Sequence, residues 1–422
     1  MRRLRDVATL NPTVSGLRPH DVGREVSFLP LDKIWADARF DASQTVEFVG
    51  DVQSYNPVAE GDIVMPKVSP TFAHGRVAIA RGLIGGRGLA TSEVFVVRPK
   101  TADDAPFLRY RLLAADVRSE GMASWTGVAG LKRVSARFVR DVRLHDRAWE
   151  GRRVIADVLD CECARIGDLL TAKRAQVERV DEYQRAWLDE SLSASYSGVT
   201  RLRDLLAAPP RYGVLVPRFT DADGVPFIRV NDLMHLAQGA STLVTIERPQ
   251  SVEYRRTVVE PGDVLVSVVG SVDKAAVVPA ALRGANVARA VARLRPLAAM
   301  PSELLWAACR SRRYLDQARW ATSADTAQPT LNMGDLARFR LVVPREVELR
   351  RQLARRISEG LRHIALVIGE INRSEAALTE YRDALITEAV TGKLDVRKVS
   401  EQQLDESAHA ATEGERSEVL SA

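Results

Sequence analysis

Tyr183-Gln184-Arg185-Ala186-Trp187-Leu188-Asp189-Glu190 reads against Tyr381-Arg382-Asp383-Ala384-Leu385-Ile386-Thr387-Glu388, 198 positions further on. The same interval carries Arg153, Ile155, Ala156 and Leu159 onto Arg351, Leu353, Ala354 and Ile357. Glu60-Gly61-Asp62-Ile63-Val64 meets Pro261-Gly262-Asp263-Val264-Leu265 at an interval of 201, and Arg98-Pro99 meets Arg295-Pro296 at 197. Loop insertions produce such drifts. A chain duplicated in this way builds a pseudo-two-fold object. Such an object suits a partner with two related halves, of which double-stranded DNA is the commonest.

Residues 1–148 mix short β-type runs with Gly and Pro punctuation, and a helix begins near Asp104. Strand-like runs stand at Val26–Leu31, Gly61–Met65, Val77–Ala80 and Glu93–Val97, with Gly-rich turns between. Residues 196–345 repeat this style around Pro226–Val230, Gly262–Gly270 and Ala290–Pro296. Residues 149–195 differ: they hold no Pro, and apolar residues recur at Ile155, Leu159, Ile166, Leu170 and Val177. That stripe is one face of a long amphipathic helix, roughly 67 Å for about 45 residues. It is too narrow for a small domain to cover and asks for a second long helix. Residues 346–397 supply one, with Leu353, Ile357, Ile364, Ile368 and Leu385 in the same pattern. The expected fold is α+β, with two mixed globules and two long coiled-coil-like helices in the order globule, helix, globule, helix. Antiparallel packing is expected; parallel packing needs a return over about 67 Å, a distance the intervening globule is able to bridge. The polar acidic tail, 398–422, is expected to be disordered.

The net charge of +5 is unevenly spread. Residues 1–148 carry +5 and 196–345 carry +7, whereas 149–195 carry −3, 346–397 zero and 398–422 −4. Positive charge therefore sits in the globules, as a polyanion touched by the globules alone would require. No apolar run reaches membrane-span length, and Met1-Arg2-Arg3-Leu4-Arg5-Asp6 has no signal-peptide core, so a cytoplasmic protein without membrane contact is expected. Cys161, Cys163 and Cys309 form no metal or disulfide pattern, and the six histidines have no ligand spacing.

Catalytic motifs are not found. Asn11-Pro12 and Asn56-Pro57 lack the second proline of an adenine methyltransferase motif, and Gly85-Gly86-Arg87-Gly88 reads as a turn rather than a phosphate cradle. Nucleic-acid binding has better candidates. Gly127–Ser135 and Ala324–Asn332 occupy matching places, each joining small and polar residues to a helix start. Backbone N–H groups with Lys132, Arg133, Gln328 and Thr330 are candidates to grip phosphates there. Lys67, Arg76, Arg87, Arg229, Lys274, Arg283 and Arg289 fall near strand ends or turns and are candidates for base edges or phosphates. Each of them taken alone is more often an ordinary solvated charge.

The stretch Tyr381–Arg397 resembles the end of specificity (S) subunits of type I restriction–modification systems. Gly61–Val68, Gly262–Ser271 and Gln328–Leu336 resemble further blocks of that family, in the family's order, and the resemblance covers residues 1–397. It implies a non-catalytic subunit whose two target-recognition domains, 1–148 and 196–345, each read one half of a bipartite double-stranded DNA target. The helices at 149–195 and 346–397 would set the gap between half-sites, one heptad being worth about 10 Å or roughly three base pairs. They would also dock two methyltransferase (M) subunits, with Tyr183, Tyr381, Thr391, Gly392 and Lys393 in the docking signature. The M subunits would bring S-adenosylmethionine and methylate adenine N6; restriction (R) subunits would bring ATP and Mg. No cofactor is expected on this chain itself. The first half departs from the family pattern: Leu131-Lys132-Arg133 stands where the second half has its Gln328 segment. Rival readings are a stand-alone methyltransferase or nuclease, a coiled-coil DNA-binding or adaptor protein, and a specificity subunit of a modification-only system without R.

Overall fold

The computed structural model describes residues 2–13, 17, 21–50, 55–125, 132–194, 197–221, 223–322 and 330–396. Gln328, the loop residues 127–131 and the tail 398–422 lie outside the described residues. The chain divides into two compact units, one of Met1–Lys173 with Arg373–Ala422 and one of Arg174–Asn372. These units cut across the segments read from the sequence, because each long helix gives one part to each unit.

In the first unit a four-stranded antiparallel sheet has the order Ala8–Leu10, Val94–Pro99, Ile63–Pro66, Ala78–Ile79. Val94-Phe95-Val96-Val97 is wholly buried, and its residues alternate between two separate cores. Phe95 and Val97 face one core while Val94 and Val96 face the other, as the period of two demands. A second sheet has the order Thr45–Glu47, Glu25–Leu29, Arg87–Thr91, Tyr55–Ala59, with Glu25–Leu29 and Arg87–Thr91 parallel. Helices Ala105–Leu113, Ala115–Ala123 and Ala136–Asp141 follow.

The second unit has the same plan. Its first sheet runs Leu206–Tyr212, Val291–Pro296, Val264–Ser267, Ala275–Val277. Its second runs Thr245–Ile246, Val225–Ile228, Asn286–Val287, again with a parallel pair. Helices Ser302–Arg310, Arg312–Thr322 and Met333–Arg338 match the earlier three.

The recurring Gly-Asp pair has a structural cause. Gly61 and Gly262 turn the chain at φ +84° and +87°, a conformation in which a side chain is strained. The next residue, Asp62 or Asp263, is buried and accepts from the backbone N–H of Ala59 or Glu260 at 2.8 and 2.9 Å. The arginine of the repeated Arg-Pro pair reaches each carboxylate with two nitrogens: Arg98 at 2.8 and 2.7 Å, Arg295 at 2.8 Å twice. A turn is thereby tied to the strand beside it.

The long helices are Arg152–Ala194 and Val347–Thr391. In the first unit Ile155, Ala156, Leu159, Ile166 and Leu170 share a core with Leu385, Ile386, Ala389 and Val390. In the second, Leu188 and Leu192 share one with Leu353, Ala354 and Ile357. The start of each helix thus packs with the end of the other, so within each unit they run antiparallel. Val177, Ile364 and Ile368 are half-buried and join neither core. Among the described residues no helix is long and apolar enough to cross a membrane.

Gly360 is where the second helix meets an indole. A Cβ there would fall 2.2 Å from Trp187 Cη2 and 2.5 Å from Cζ2. Glycine in an exposed helix normally costs about 1 kcal/mol relative to alanine, so Gly167, with nothing within 4 Å of its would-be Cβ, should gain from Gly167→Ala. Gly360→Ala is expected to reverse that sign and lose about 1–3 kcal/mol through overpacking. Peptide-resolved hydrogen exchange of the helices around each substitution decides the matter: greater protection in Gly360→Ala refutes the close packing, and Trp187→Leu in the same chain should restore the loss.

Candidate nucleic-acid interface

In each unit the strand that follows the Gly-Asp turn runs out to meet a returning loop. Val68 pairs with Arg133 in the first unit and Val269 with Thr330 in the second, both antiparallel. The first pairing is fixed by Ser69 N–H donating to the Lys132 carbonyl and Val134 N–H to the Lys67 carbonyl, both at 2.9 Å. In the second, Leu331 N–H donates to the Val268 carbonyl at 2.8 Å. A short helix then begins in each case. Its first turn is capped by the Ser135 hydroxyl, accepting from Phe138 N–H at 3.1 Å, or by the Asn332 side chain, accepting from Gly334 N–H at 2.7 Å. The repeated loops are therefore anchored at the same place in both units.

The surrounding charges differ. In the first unit Lys67, Lys132 and Arg133 come together. Arg133 grips Glu93 with two nitrogens at 3.0 and 2.8 Å, which pulls the Glu93 carboxyl below its usual range. The Lys67 ammonium donates to the Ser92 carbonyl and lies 4.7 Å from the Phe95 ring centre; burial pushes its pKa down. Lys132 is exposed, 5.8 Å from the Trp125 ring centre. Arg87 pairs with Asp21 at 3.7 Å, and Arg76 donates to the Ile34 carbonyl at 3.3 Å. These two do not join the Lys67 group by any bond.

In the second unit Arg289 and Thr330 line one cavity of about 560 Å³ with Tyr212, Leu215, Val269 and Met333. Lys274 reaches Asn231 at 3.4 Å, and Arg229 pairs with Asp232 at 3.1 Å, next to it in sequence. Arg283 is tied to Glu260 at 2.5 Å. Sequence reading missed a second cavity of about 730 Å³, which shares Tyr212 and Met333 with the first and adds Arg211, Tyr254, Arg255 and Arg256. The Arg255-Arg256 doublet was the available clue. Pro209-Pro210-Arg211-Tyr212 ends a bulged strand, Leu206–Tyr212.

The docking-signature residues lie on the long helices. Tyr183 and Tyr381 are exposed at 62% and 51%. The Thr391 hydroxyl donates to the Thr387 carbonyl at 2.7 Å. Gly392, at φ +75°, closes the second helix, and Lys393 N–H donates back to the Glu388 carbonyl at 2.9 Å. Lys393 itself is exposed. The three cysteines are free, with Cys309 buried and its thiol pKa pushed up by that burial. Among the described residues no group of three His, Cys, Asp or Glu side chains is placed to hold a metal.

No family model matches the chain. The EcoEI type I restriction enzyme specificity subunit of Escherichia coli is 33% identical over 139 residues, 32% of this chain and 23% of its own length. The EcoBI specificity subunit of the same organism is 22% identical over 299 residues, 64% of this chain and 62% of its own length. The chain thus spans less than two thirds of these relatives. Among solved structures, a chain from a study of complex assembly and conformational transition in a type I R-M system has the same fold. Its TM-score is 0.63 at 16% identity, covering 93% of this chain and 97% of that one. The chain is similar in sequence to type I specificity subunits and in fold to a chain of such a system.

Proposed function

We propose that this chain is the DNA sequence-specificity subunit of a type I restriction–modification complex, each unit reading one half of a bipartite duplex target. The observation that carries the reading is the duplicated loop-on-strand element, Val68 with Arg133 and Val269 with Thr330, with cationic side chains around it in both units. One reader built twice matches a target with two halves. Cations position the protein on phosphates, and side chains at strand ends and loops read base edges. Likeness to the E. coli specificity subunits supports the same reading.

On this reading the chain performs no methyl transfer itself. Exposed Tyr183 in one unit, and Tyr381 with the Thr391-Gly392-Lys393 helix end in the other, contribute to the surfaces that dock M subunits. Those partners bind S-adenosylmethionine and methylate adenine N6, and R subunits contribute ATP- and Mg-dependent translocation and cleavage. The work of this chain is done in the cytoplasm.

The test is to co-express the chain with the adjacent methyltransferase gene and map N6-methyladenine over the host DNA. Two specified blocks around a fixed unspecified gap are expected. A continuous motif, or unmodified DNA despite a stable complex, defeats the proposal.

A further inference from the structure

We infer that the two units divide the work unequally, the second supplying most of the salt-dependent grip on the DNA backbone through the basic cleft around Tyr212. The inference rests on the specificity-subunit reading and deepens it. Arg211, Arg255 and Arg256 line one cavity and Arg289 the other, with Tyr212 as the wall between them, 49% exposed. All four arginines are exposed, and none forms an ion pair with a described residue. The one acidic residue lining either cavity, Glu253, is held by Arg218 at 3.2 Å.

The first unit treats the matching positions differently. The interval that carries Arg98 onto Arg295 carries Ser92 onto Arg289. Arg211 pairs across the sheet with Arg293, and Asn11 pairs in the same way with Val96, the counterpart of Arg293. Asn11 satisfies itself locally, its side-chain oxygen accepting from Val96 N–H at 3.0 Å. Where the second unit has two solvated guanidiniums, the first has a serine and a bonded amide. Of the first unit's loop cations, Arg133 is held by Glu93 and Lys67 by the Ser92 carbonyl, which leaves Lys132 as the one exposed there without an ion pair to a described residue.

This difference matters because phosphate binding is driven by counterion release. A free cation that meets a phosphate releases its counterion and contributes about −0.9 to the slope of log K against log salt. A cation already neutralised by a carboxylate must first break that pair and gains little. The second unit also sets three arginines close together on its first sheet, Arg211 opposite Arg293 and Arg295 two residues along the same strand. Burial, Arg295 and Arg211 push the Arg293 guanidinium below its usual range against the opposing pull of Asp263. Like charges facing across a sheet are unfavourable, and an approaching phosphate chain relieves that repulsion. The ring and hydroxyl of Tyr212, set between the cation groups, suit a sugar–phosphate contact.

The experiment measures binding of a random-sequence duplex by the complex of the full chain with its methyltransferase partner, between about 50 and 200 mM salt. The triple variant Arg211→Ala, Arg255→Ala, Arg256→Ala is expected to lower the slope by about 2–3, and Lys132→Ala with Arg133→Ala by less than about 1. An equal or larger loss from the second variant overturns the inference and leaves the specificity-subunit reading standing. An unchanged slope in the triple-variant complex overturns it as well, and a triple variant from which the methyltransferase no longer co-purifies assigns the cleft to protein docking and overturns it too. Failure of the unaltered complex to bind any duplex refutes the specificity-subunit reading itself.

Discussion

Arg98→Ala and Arg295→Ala are each expected to destabilise the unit that contains them by about 3–5 kcal/mol, the cost of leaving a buried carboxylate without its partner. Asp62 and Asp263 are both 2% exposed, and once the guanidinium is gone each retains a single backbone N–H. The carboxylate has no water to return to, and the turn at Gly61 or Gly262 loses its tie to the adjacent strand. Replacing the aspartate is the milder change, because the arginines are about a third exposed and re-solvate. An exposed pair such as Arg133 with Glu93, screened by solvent, contributes little and serves as the control. Since the chain has two units, one global unfolding energy is not well defined. Hydrogen exchange resolved by peptide is the proper readout. Arg98→Ala should deprotect Ile63–Pro66 and Val94–Pro99 while Val264–Ser267 stays protected, and Arg295→Ala should do the reverse. Protection unchanged in either variant would show that the pair contributes little.

These ion pairs mark the boundary of what the sequence discloses. Arg98-Pro99 and Arg295-Pro296 are visible as repeated dipeptides, and so are the Gly-Asp turns. Their pairing is not visible, since Asp62 and Arg98 meet only after the sheet has formed. The helices are legible because their stripe is local: each turn repeats the same periodicity. The division of each helix between two units is not, because it follows from which globule covers which stretch. At the interface, Lys67 meets Lys132 and Arg133, and Arg289 lines a cavity with Thr330; the repeat matches the two loops but does not show which strand-end cations they meet. The basic cleft escaped notice for two reasons. Arg211 sits behind two prolines, and Arg255-Arg256 begins 44 positions further on, with no periodicity to connect them. The first half's Leu131-Lys132-Arg133, a departure from the family pattern, belongs to a loop whose Arg133 is balanced by Glu93.

Gly213→Ala is expected to damage the second unit's interface more than any single charge removal. Gly213 is not in the left-handed region, so its requirement is space rather than backbone freedom. A Cβ there would lie 1.7 Å from the Val287 carbonyl oxygen and 2.4 Å from its carbon. Both are backbone atoms of the strand Asn286–Val287, which cannot swing aside as a side chain would. The close approach exists because Gly213 N–H donates to the Ala288 carbonyl and Val214 N–H to the Val287 carbonyl, at 3.3 and 2.9 Å. Forcing these segments apart breaks both bonds and shifts Arg211 and Tyr212 on one side and Arg289 on the other. Overpacking typically costs about 1–3 kcal/mol, and a clash with fixed backbone falls at or above the top of that range. The variant should therefore lose DNA affinity as well as stability. Gly23, with no atom within 4 Å of its would-be Cβ but a φ of +81°, separates the two kinds of glycine requirement. Gly23→Asn, the side chain best tolerated where φ is positive, should cost only about 1 kcal/mol of backbone strain, whereas Gly213→Asn should be as harmful as Gly213→Ala. Duplex binding by Gly213→Ala at the unaltered level, with the hydrogen exchange of Asn286–Val291 unchanged, would mean that the two segments have room to separate and that the cleft does not depend on their contact.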